Sequence, residues 1–277
     1  MRKLRLVFLI LLLPLSVWAG EERSFSLAVV PQFTTDQIRR DWQPLLERLH
    51  AMTGYTFSLR FSRSIPDFEQ DFLGGAPDFA FLNPYHAVMA RYAQGYVPLL
   101  RDSKLLTGIL VVRRDDPIRS VRELDGRELA FPAPNAFGAS LYLRALLAER
   151  FHITVRPRYV KTHSNVYRHV IVGEVAAGGG VNNTLEHEPA EVRSRLRVLY
   201  ETPGAAAHPL VAHPRVPEAA RKALGDAILR LAAEPAGAAL LAAVQLPTPV
   251  LADYARDYRG LEKLNLERYV VSSTVQP

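Results

Sequence analysis

The sequence predicts an α/β protein, because strand patterns and helix patterns alternate along most of the chain. The first alternation begins with the apolar, β-rich residues 25–30. Apolar residues then recur at helical spacing over 38–49, Thr53-Gly54 ends that helix, and residues 55–61 alternate like a half-buried strand. A second strand-helix-strand unit covers residues 129–181.

The other elements follow from cap and turn residues. Asn83-Pro84 indicates a helix start, because Asn accepts from free backbone N–H groups and Pro is favoured at the first helical position. Ser120 with Glu123 fits a capping box, and Ser164 is expected to cap a further helix. Such signals predict strands at 78–82, 97–100, 105–112, 128–131, 153–160, 175–181, 195–200 and 208–213, helices at 68–73, 84–95, 138–151, 217–231 and 236–244, and a partly helical tail at 251–270.

Residues 1–19 have the pattern of a secretory signal peptide. Arg2, Lys3 and Arg5 precede an apolar run over 6–17, and Val17-Trp18-Ala19 has small residues at the two positions that govern cleavage. The alternative is an uncleaved membrane anchor, but the run is shorter than the roughly 20 apolar residues that span a bilayer. Cleavage after Ala19 leaves 258 of the 277 residues and removes three positive charges from a chain of net charge +6.

The composition excludes several classes of site. The chain has no cysteine, which excludes disulfides, thiolate metal sites, a cysteine nucleophile and the lipid-modified cysteine of a lipoprotein. It has no lysine or arginine run of the kind that binds nucleic acid. Together with the signal peptide, this predicts a soluble periplasmic protein that is stabilised by its hydrophobic core.

The stretch 129–147 predicts an anion site, because a buried strand passes through a short loop into a helix that starts near Phe137-Gly138. The first N–H groups of such a helix lack intrahelical partners and favour negative charge. Most such connections bind nothing, but segments 78–85 and 159–165 have the same strand-loop-helix form. Ligands of open α/β sheets sit where such loops converge, so the three loops together predict a pocket.

The composition also predicts where the chain crosses between two lobes. The polar residues 113–117 indicate the first crossing, and the second is expected between Val192 and Leu199. We therefore expect a discontinuous first lobe at 20–113 and 196–277, with the second lobe at 114–195.

Several segments in order resemble one family, the substrate-binding components of phosphate/phosphite/phosphonate ABC transporters. The matching segments are Pro31-Gln32, Trp42-Gln-Pro-Leu-Leu-Glu-Arg-Leu, Asp78-Phe-Ala-Phe-Leu-Asn-Pro-Tyr, Phe131-Pro-Ala-Pro-Asn-Ala-Phe-Gly-Ala-Ser, Thr162-His-Ser-Asn-Val-Tyr-Arg-His-Val and His208-Pro-Leu-Val-Ala-His-Pro. The resemblance covers nearly the whole mature chain, and it implies the two-lobed type 2 periplasmic-binding-protein fold. Each lobe is then a mixed sheet flanked by helices, and the ligand cleft lies between the lobes.

The resemblance also implies which residues bind the ligand. They are Asn83 and Tyr85 on one lobe, and on the other Asn135, Ala136, Phe137, Gly138, His163, Ser164, Asn165, Asn182 and Asn183. One departure concerns the helix start, where characterised phosphonate binders of the family carry a run of Ser and Thr. Asn135-Ala136-Phe137-Gly138 stands there in this chain, which leaves Asn135 and backbone N–H groups as donors.

Each of these residues also has an ordinary structural interpretation. His163 either donates to an oxyanion or belongs to a plain helix start, and Asn83 either contacts ligand or only caps its helix. Tyr85 and Phe137 either face the cleft or pack in the core. Asn182-Asn183 either bind the ligand or only form a turn of the chain. Gly178-Gly179-Gly180 lacks a phosphate-binding fingerprint and indicates close backbone approach.

The sequence points away from metal binding and catalysis. His208 and His213 fall on opposite faces of a strand, and the pair His187 and Glu191 is interrupted by Pro189. There is no Gly-x-Ser-x-Gly elbow and no nucleophile paired with a base. We therefore expect a monomeric, non-enzymatic solute-binding protein without a cofactor, which clamps a small oxyanion for an ABC permease. The alternative is a periplasmic sensory protein with another ligand, reporting to a membrane receptor or histidine kinase.

Overall fold

The computed structural model describes residues 24–271, and the expected signal peptide at 1–19 lies outside the described residues. The strands are β1 (Ser24–Val29), β2 (Thr56–Arg60), β3 (Phe79–Phe81), β4 (Val97–Asp102), β5 (Gly108–Arg113), β6 (Glu128–Phe131), β7 (Arg156–Tyr159), β8 (Ala177–Val181), β9 (Leu196–Glu201), β10 (Pro209–Ala212) and β11 (Pro249–Leu251). The helices are α1 (Thr35–Thr53), α2 (Ile65–Leu73), α3 (Pro84–Gln94), α4 (Tyr142–Glu149), α5 (His163–Val172), α6 (Asn182–Glu186), α7 (Ala190–Arg193), α8 (Glu218–Ala232), α9 (Pro235–Ala243) and α10 (Tyr254–Asp257).

These elements form two mixed sheets flanked by helices, which confirms the predicted α/β class. The first sheet has the order β11-β4-β10-β3-β1-β2, with β1 parallel to β2 and β3, and β10 antiparallel between β3 and β4. The second has the order β7-β6-β8-β5-β9, with β6 parallel to β7 and β8. No helix within residues 24–271 is long and apolar enough to cross a membrane.

Local capping explains where most helices begin and end. The Asn83 side chain accepts from the backbone N–H of His86 at 2.7 Å, and Gly95, with φ of 74°, closes the same helix. The expected cap at Ser164 is wrong. Thr162 is extended, and its Oγ1 accepts from the Asn165 N–H at 3.2 Å, so α5 already begins at His163.

The predicted lobe boundaries differ from the strand pairing. β5 pairs with β8 and β9, so residues 108–113 and 196–201 belong to the second sheet rather than the first. The polar residues 113–117 begin at the last residue of β5 and turn the chain within the second lobe. A buried apolar strand carries no local signal of which sheet it joins, so composition alone misplaced it. The chain crosses between the sheets at 103–107 and 202–208.

Glycines let the start of a helix approach the second sheet closely. After β6, residues Phe137–Leu141 form a π-helical turn that leads into α4. A Cβ atom at Gly179 would lie 1.9 Å from the carbonyl oxygen of Ala139, and one at Gly108 would lie 2.2 Å from that of Gly138. The glycines of β5 and β8 therefore allow this turn to lie close to the sheet. The sequence predicted such a close backbone approach for Gly178-Gly179-Gly180.

The two lobes pack on each other across the cleft. The larger hydrophobic cluster contains the buried residues around the first sheet, and it also includes Ala136, Phe137 and Val181 from the second lobe. Two smaller clusters cover the faces of the second sheet. The structure therefore has a closed cleft.

The C-terminal tail, residues 254–271, also connects the lobes. Its first part lies on the first lobe, where the Tyr258 hydroxyl donates to the carbonyl of Ala207 at 2.8 Å. Its last part lies on α4, where Arg144 donates to the carbonyl of Tyr269 at 2.8 Å. Leu261 and Leu266 are buried along this path.

Candidate functional site

A small cavity lies where the two lobes face each other. It is lined by Val30, Gln32, Ile65, Asn83 and His208 of the first lobe, and by Ala136, Phe137, Gly138, Ala139, His163 and Val181 of the second. We call it the cleft cavity. Its free volume of about 10 Å³ holds about one water molecule. The convergence of loops that the sequence predicted is therefore present, and the lobes are nearly closed around it.

The start of the π-helical turn lines this cavity with residues 136–139. Ser140 and Leu141 donate to the carbonyl of Ala136, and Tyr142 donates to that of Phe137. Within residues 24–271, the N–H groups of Phe137, Gly138 and Ala139 have no hydrogen-bond acceptor. Free donors at the start of a helix attract an anion or a carbonyl oxygen.

His163 reaches the cavity from the first turn of α5. Its Nδ1 lies 3.1 Å from Thr184 Oγ1, and its backbone N–H donates to the carbonyl of Gln32 across the cleft at 3.4 Å. The side chain is buried, which lowers the pKa of His163 to about 3. It is therefore a neutral imidazole at neutral pH.

His208 is a cleft residue that the sequence analysis considered only as a metal ligand. It precedes β10, stacks on Phe81 with ring centroids 5.6 Å apart, and has no hydrogen-bond partner for Nδ1 among the described residues. Burial, with smaller effects from His163 and His86, lowers the pKa of His208 to about 3. His208 lies at the cavity because β10 is inserted between β3 and β4. No local sequence pattern predicts that strand order.

Besides His208, the first lobe contributes the polar residues Gln32 and Asn83 to the cavity, and Gln32 was not predicted. Asn83 caps α3 with its oxygen and donates from Nδ2 to the carbonyl of Asn135 in the second lobe at 3.3 Å. Both interpretations of Asn83 are therefore compatible, because the cap uses the oxygen, and the bond to Asn135 leaves the second amide hydrogen free.

The Asn135 side chain lies outside the cavity. Its Nδ2 donates to Glu69 Oε2 at 3.0 Å and to the carbonyl of Val271 at 2.9 Å. Glu69 in turn lies 2.9 Å from His86 Nε2, and all three polar side chains are buried. Asn135 thus joins the second lobe to α2 and to the tail, and its donors are already in use.

Three further predicted residues also lie outside the cavity. Tyr85 is buried, and desolvation with a smaller effect from Glu267 raises its pKa. Ser164 donates to Glu188, and Asn165 Nδ2 donates to the carbonyl of Val160 at 2.8 Å.

Asn182 and Asn183 line a second cavity of about 120 Å³ near the crossings between the lobes. Asn182 accepts from the N–H of Thr107 and donates to the carbonyl of Leu105, so it fastens one crossing. Asn183 donates to Gln245 of the first lobe at 2.5 Å. These side chains hold the lobes together at their connection rather than at the cleft cavity.

A family model described as "ABC transporter, phosphonate, periplasmic substrate-binding protein" matches residues 27–258. The chain belongs to this family. As a family member, the binding protein is a periplasmic substrate-binding component of a transporter, which confirms the resemblance seen in its motifs. A comparison with curated protein sequences gives no significant match.

Solved structures share the two-lobed fold of the binding protein at low sequence identity. One is the binding protein component of an ABC phosphonate transporter from Pseudomonas aeruginosa, with a TM-score of 0.76 and 16% identity over 90% of this chain and 88% of that one. A second is PhnD1 from Prochlorococcus marinus in complex with methylphosphonate, with a TM-score of 0.81 and 14% identity over 90% of this chain and 100% of that one. A third is a Xanthomonas citri protein bound to ATP, with a TM-score of 0.71 and 17% identity over 89% of this chain and 98% of that one.

The cleft of the binding protein provides few side-chain donors. The first hydroxyl after β6 is that of Ser140, which is buried and accepts from Arg144 Nε at 3.2 Å. Among residues 24–271, the eleven that line the cleft cavity include no lysine, arginine or carboxylate. Any ligand there is held by neutral donors and acceptors.

Proposed function

We propose that this protein binds a small phosphorus oxyanion between its lobes and delivers it to an ABC permease of the inner membrane. The observation that carries the proposal is the cleft cavity, where free N–H groups of residues 137–139 and the imidazole of His163 line the same space. Fixed N–H dipoles can hold a buried oxyanion without a cationic side chain.

In this proposal the residues predicted from the sequence divide into two groups. The first group contacts the ligand and consists of Asn83, His163 and the backbone of Ala136, Phe137 and Gly138. Gln32 and His208 join these contacts. The others act indirectly: Asn135 and Tyr85 support the loop and tail, Ser164 and Asn165 hold the start of α5, and Asn182 and Asn183 fasten the crossings.

Closure around the ligand is the output of the protein. A ligand that contacts both lobes stabilises the closed state by its difference in affinity for the closed and open states. Asn83 of the first lobe and His163 of the second lie on opposite walls of the cavity, so one bound anion would join them. The proposed protein is an exported monomer without enzymatic turnover or cofactor, cleaved after Ala19.

The neighbouring folds support an oxyanion as ligand. Two of them are bound to methylphosphonate and to ATP, which both carry phosphorus oxyanions. The missing Ser/Thr run distinguishes this chain from characterised phosphonate binders, so backbone N–H groups supply the donors that hydroxyls supply there.

Isothermal titration of the purified protein with methylphosphonate, phosphite and phosphate tests the proposal. We expect binding of at least one of them, weakened about 10- to 100-fold in His163→Ala, because a lost hydrogen bond to a charged group costs about 1.5–3 kcal/mol. His169→Ala is the matched control on the same helix, where the side chain contacts Glu174 on the surface.

A flat response to all phosphorus oxyanions would contradict the proposal. It would leave the sensory role, in which the same lobes close on a different ligand and report to a membrane receptor. Equal affinity of the wild type and His163→Ala would remove His163 from the proposed site.

A further inference from the structure

The hydrogen bonds behind His163 determine which of its nitrogens carries the proton. Thr184 Oγ1 donates its one proton to the carbonyl of Val181 at 2.9 Å. The Tyr167 hydroxyl lies 2.8 Å from the same Oγ1, and its other hydrogen-bond partner is the backbone N–H of Val181, which can only donate. The phenol of Tyr167 therefore donates to Thr184.

His163 Nδ1 completes this arrangement at 3.1 Å from Thr184 Oγ1. The threonine proton is already used on Val181, so the short contact is a hydrogen bond only if Nδ1 carries a proton and donates it. The hydroxyl oxygen then has both lone pairs occupied, by Tyr167 and by His163, while the N–H of Val181 lies farther away at 3.4 Å. A neutral imidazole with its proton on Nδ1 has a bare lone pair on Nε2.

That lone pair belongs to a residue of the cavity wall. His163 lines the cleft cavity, and its Nε2 has no hydrogen-bond partner among the described residues. An acceptor on the cavity wall without a donor from the protein favours a ligand that brings a hydrogen-bond donor.

The charges around the cavity favour the same kind of ligand. No cationic side chain lines the cavity within residues 24–271. Two buried carboxylates that the structure describes near the cleft are already bound, Glu69 to His86 and Asn135, and Glu188 to Ser164. Burial of a dianion there would cost desolvation free energy with little compensation from the protein, and each added negative charge raises that free energy cost.

We propose that His163 Nε2 accepts a hydrogen bond from an O–H group of the ligand, so the cleft selects singly protonated phosphorus oxyanions over fully deprotonated ones and over sulfate. This inference rests on the proposed function and specifies the protonation state of its ligand. The backbone N–H groups of residues 137–139 would bind the unprotonated oxygens on the same molecule.

The test uses two tetrahedral anions that differ in whether they hold a proton. Methylphosphonate loses its second proton near neutral pH, whereas sulfate has no proton to lose between pH 5 and 9. We expect the affinity of the protein for methylphosphonate to fall about tenfold per pH unit above that pKa. Sulfate should bind at least 100-fold more weakly than methylphosphonate at pH 6.

Sulfate also controls for titration of the protein itself. The titratable groups that face His163 or the cavity are Tyr167 on its own helix, Glu188 after α6, and His208 before β10, with His86 and Glu69 behind them. Titration of any of these changes the binding of both anions, whereas loss of the ligand proton changes only that of methylphosphonate.

Two variants test the role of Thr184. Thr184→Ser keeps the hydroxyl and should keep the preference for methylphosphonate, whereas Thr184→Val removes it and frees His163 to carry its proton on Nε2. We expect the preference for methylphosphonate over sulfate to fall at least tenfold in Thr184→Val. Thermal unfolding identifies whether each variant is folded, and the pH titration of the wild type needs neither variant.

The outcomes separate this inference from the proposed function. If methylphosphonate binds more tightly as pH rises, or sulfate binds as well as methylphosphonate, the inference is wrong and the proposed function stands. If no phosphorus oxyanion binds at any pH, the proposed function fails and the inference falls with it.

Discussion

The side chain of Asn135 and the backbone of Val271 form a reciprocal pair of hydrogen bonds. Asn135 Nδ2 donates to the carbonyl of Val271 at 2.9 Å, and Asn135 Oδ1 accepts from its N–H at 3.0 Å. An amide side chain satisfies the donor and the acceptor of one peptide group in this way, as a neighbouring strand would. The pair ties the loop after β6 to a residue 136 positions later in the chain.

Asn135→Asp tests this pair. The carboxylate still accepts from Val271 but cannot donate to it, and it meets Glu69 at the position where Nδ2 donated. We expect Asn135→Ala to lower the free energy of unfolding by about 1–3 kcal/mol, and Asn135→Asp to lower it further at pH 7. Urea unfolding at pH 7 and pH 5 checks this. The loss of unfolding free energy in Asn135→Asp should exceed that in Asn135→Ala by less at pH 5, where the new Asp carboxyl takes up a proton. Equal losses at pH 7 would contradict the contact with Glu69.

Gly179→Ala tests the approach of the helix start to the second sheet. The new methyl group would lie 1.9 Å from the carbonyl oxygen of Ala139, so the π-helical turn must move. We expect a loss of about 1–3 kcal/mol in unfolding free energy and weaker ligand binding. Gly225→Ala in α8 is the control, because nothing lies within 4 Å of its added methyl group and the helix should gain about 0.5–1 kcal/mol. Similar behaviour of the two variants would contradict this account.

The buried histidines make stability depend on pH. Desolvation lowers the pKa of His208 and of His163 to about 3 from an ordinary 6.5, so the unfolded chain takes up protons first as pH falls. The stabilisation is complete above pH 6.5 and is lost below it, and we expect about 2 kcal/mol to be lost per histidine between pH 7 and 5. His208→Gln should roughly halve that slope in urea unfolding. An unchanged slope would mean that His208 does not titrate as its burial requires.

Asp257 tests the attachment of the tail to the first lobe. Burial raises the pKa of its carboxyl, but hydrogen bonds from Arg256, Arg101 and the backbone of Asp253 outweigh burial and lower it. The carboxylate therefore stabilises the fold at neutral pH, and this stabilisation is lost in strong acid. We expect Asp257→Asn to cost about 2–3 kcal/mol at pH 7 and less at pH 3, measured by urea unfolding.

Asp226→Asn is the control for that measurement. Asp226 pairs with Lys222 at 2.7 Å on the surface of α8, where both side chains are about half exposed or more. Such a pair contributes less than about 1 kcal/mol. Equal effects of the two substitutions would show that the Arg101 pair is no stronger than a surface pair.

Local signals made most of the elements predictable from the sequence. Thr34 and Asn83 cap their helices by bonds to N–H groups three residues later, and Gly54 and Gly95 end them in the left-handed region. These interactions span a few residues, so the sequence displays them directly. Strand pairing spans much more of the chain, and that is why β5 and β9 were assigned to the wrong lobe.

The same distinction holds for the candidate site. Residues 136–138 and His163 were found because they follow strands and start helices. His208 and Gln32 were missed because they reach the cavity only through the order of strands in the first sheet. Asn135 was expected to hold the ligand, and its engagement with Val271 and Glu69 depends on partners far away in sequence.

The tail gives the lobes a third connection besides the two crossings at 103–107 and 202–208. This one consists of noncovalent contacts, among them the bonds from Arg144 and Asn135 to the last described residues. Wider separation of the lobes must break it, whereas the covalent crossings only bend. Opening far enough to release a solute therefore requires the detachment of a segment that does not line the cleft cavity.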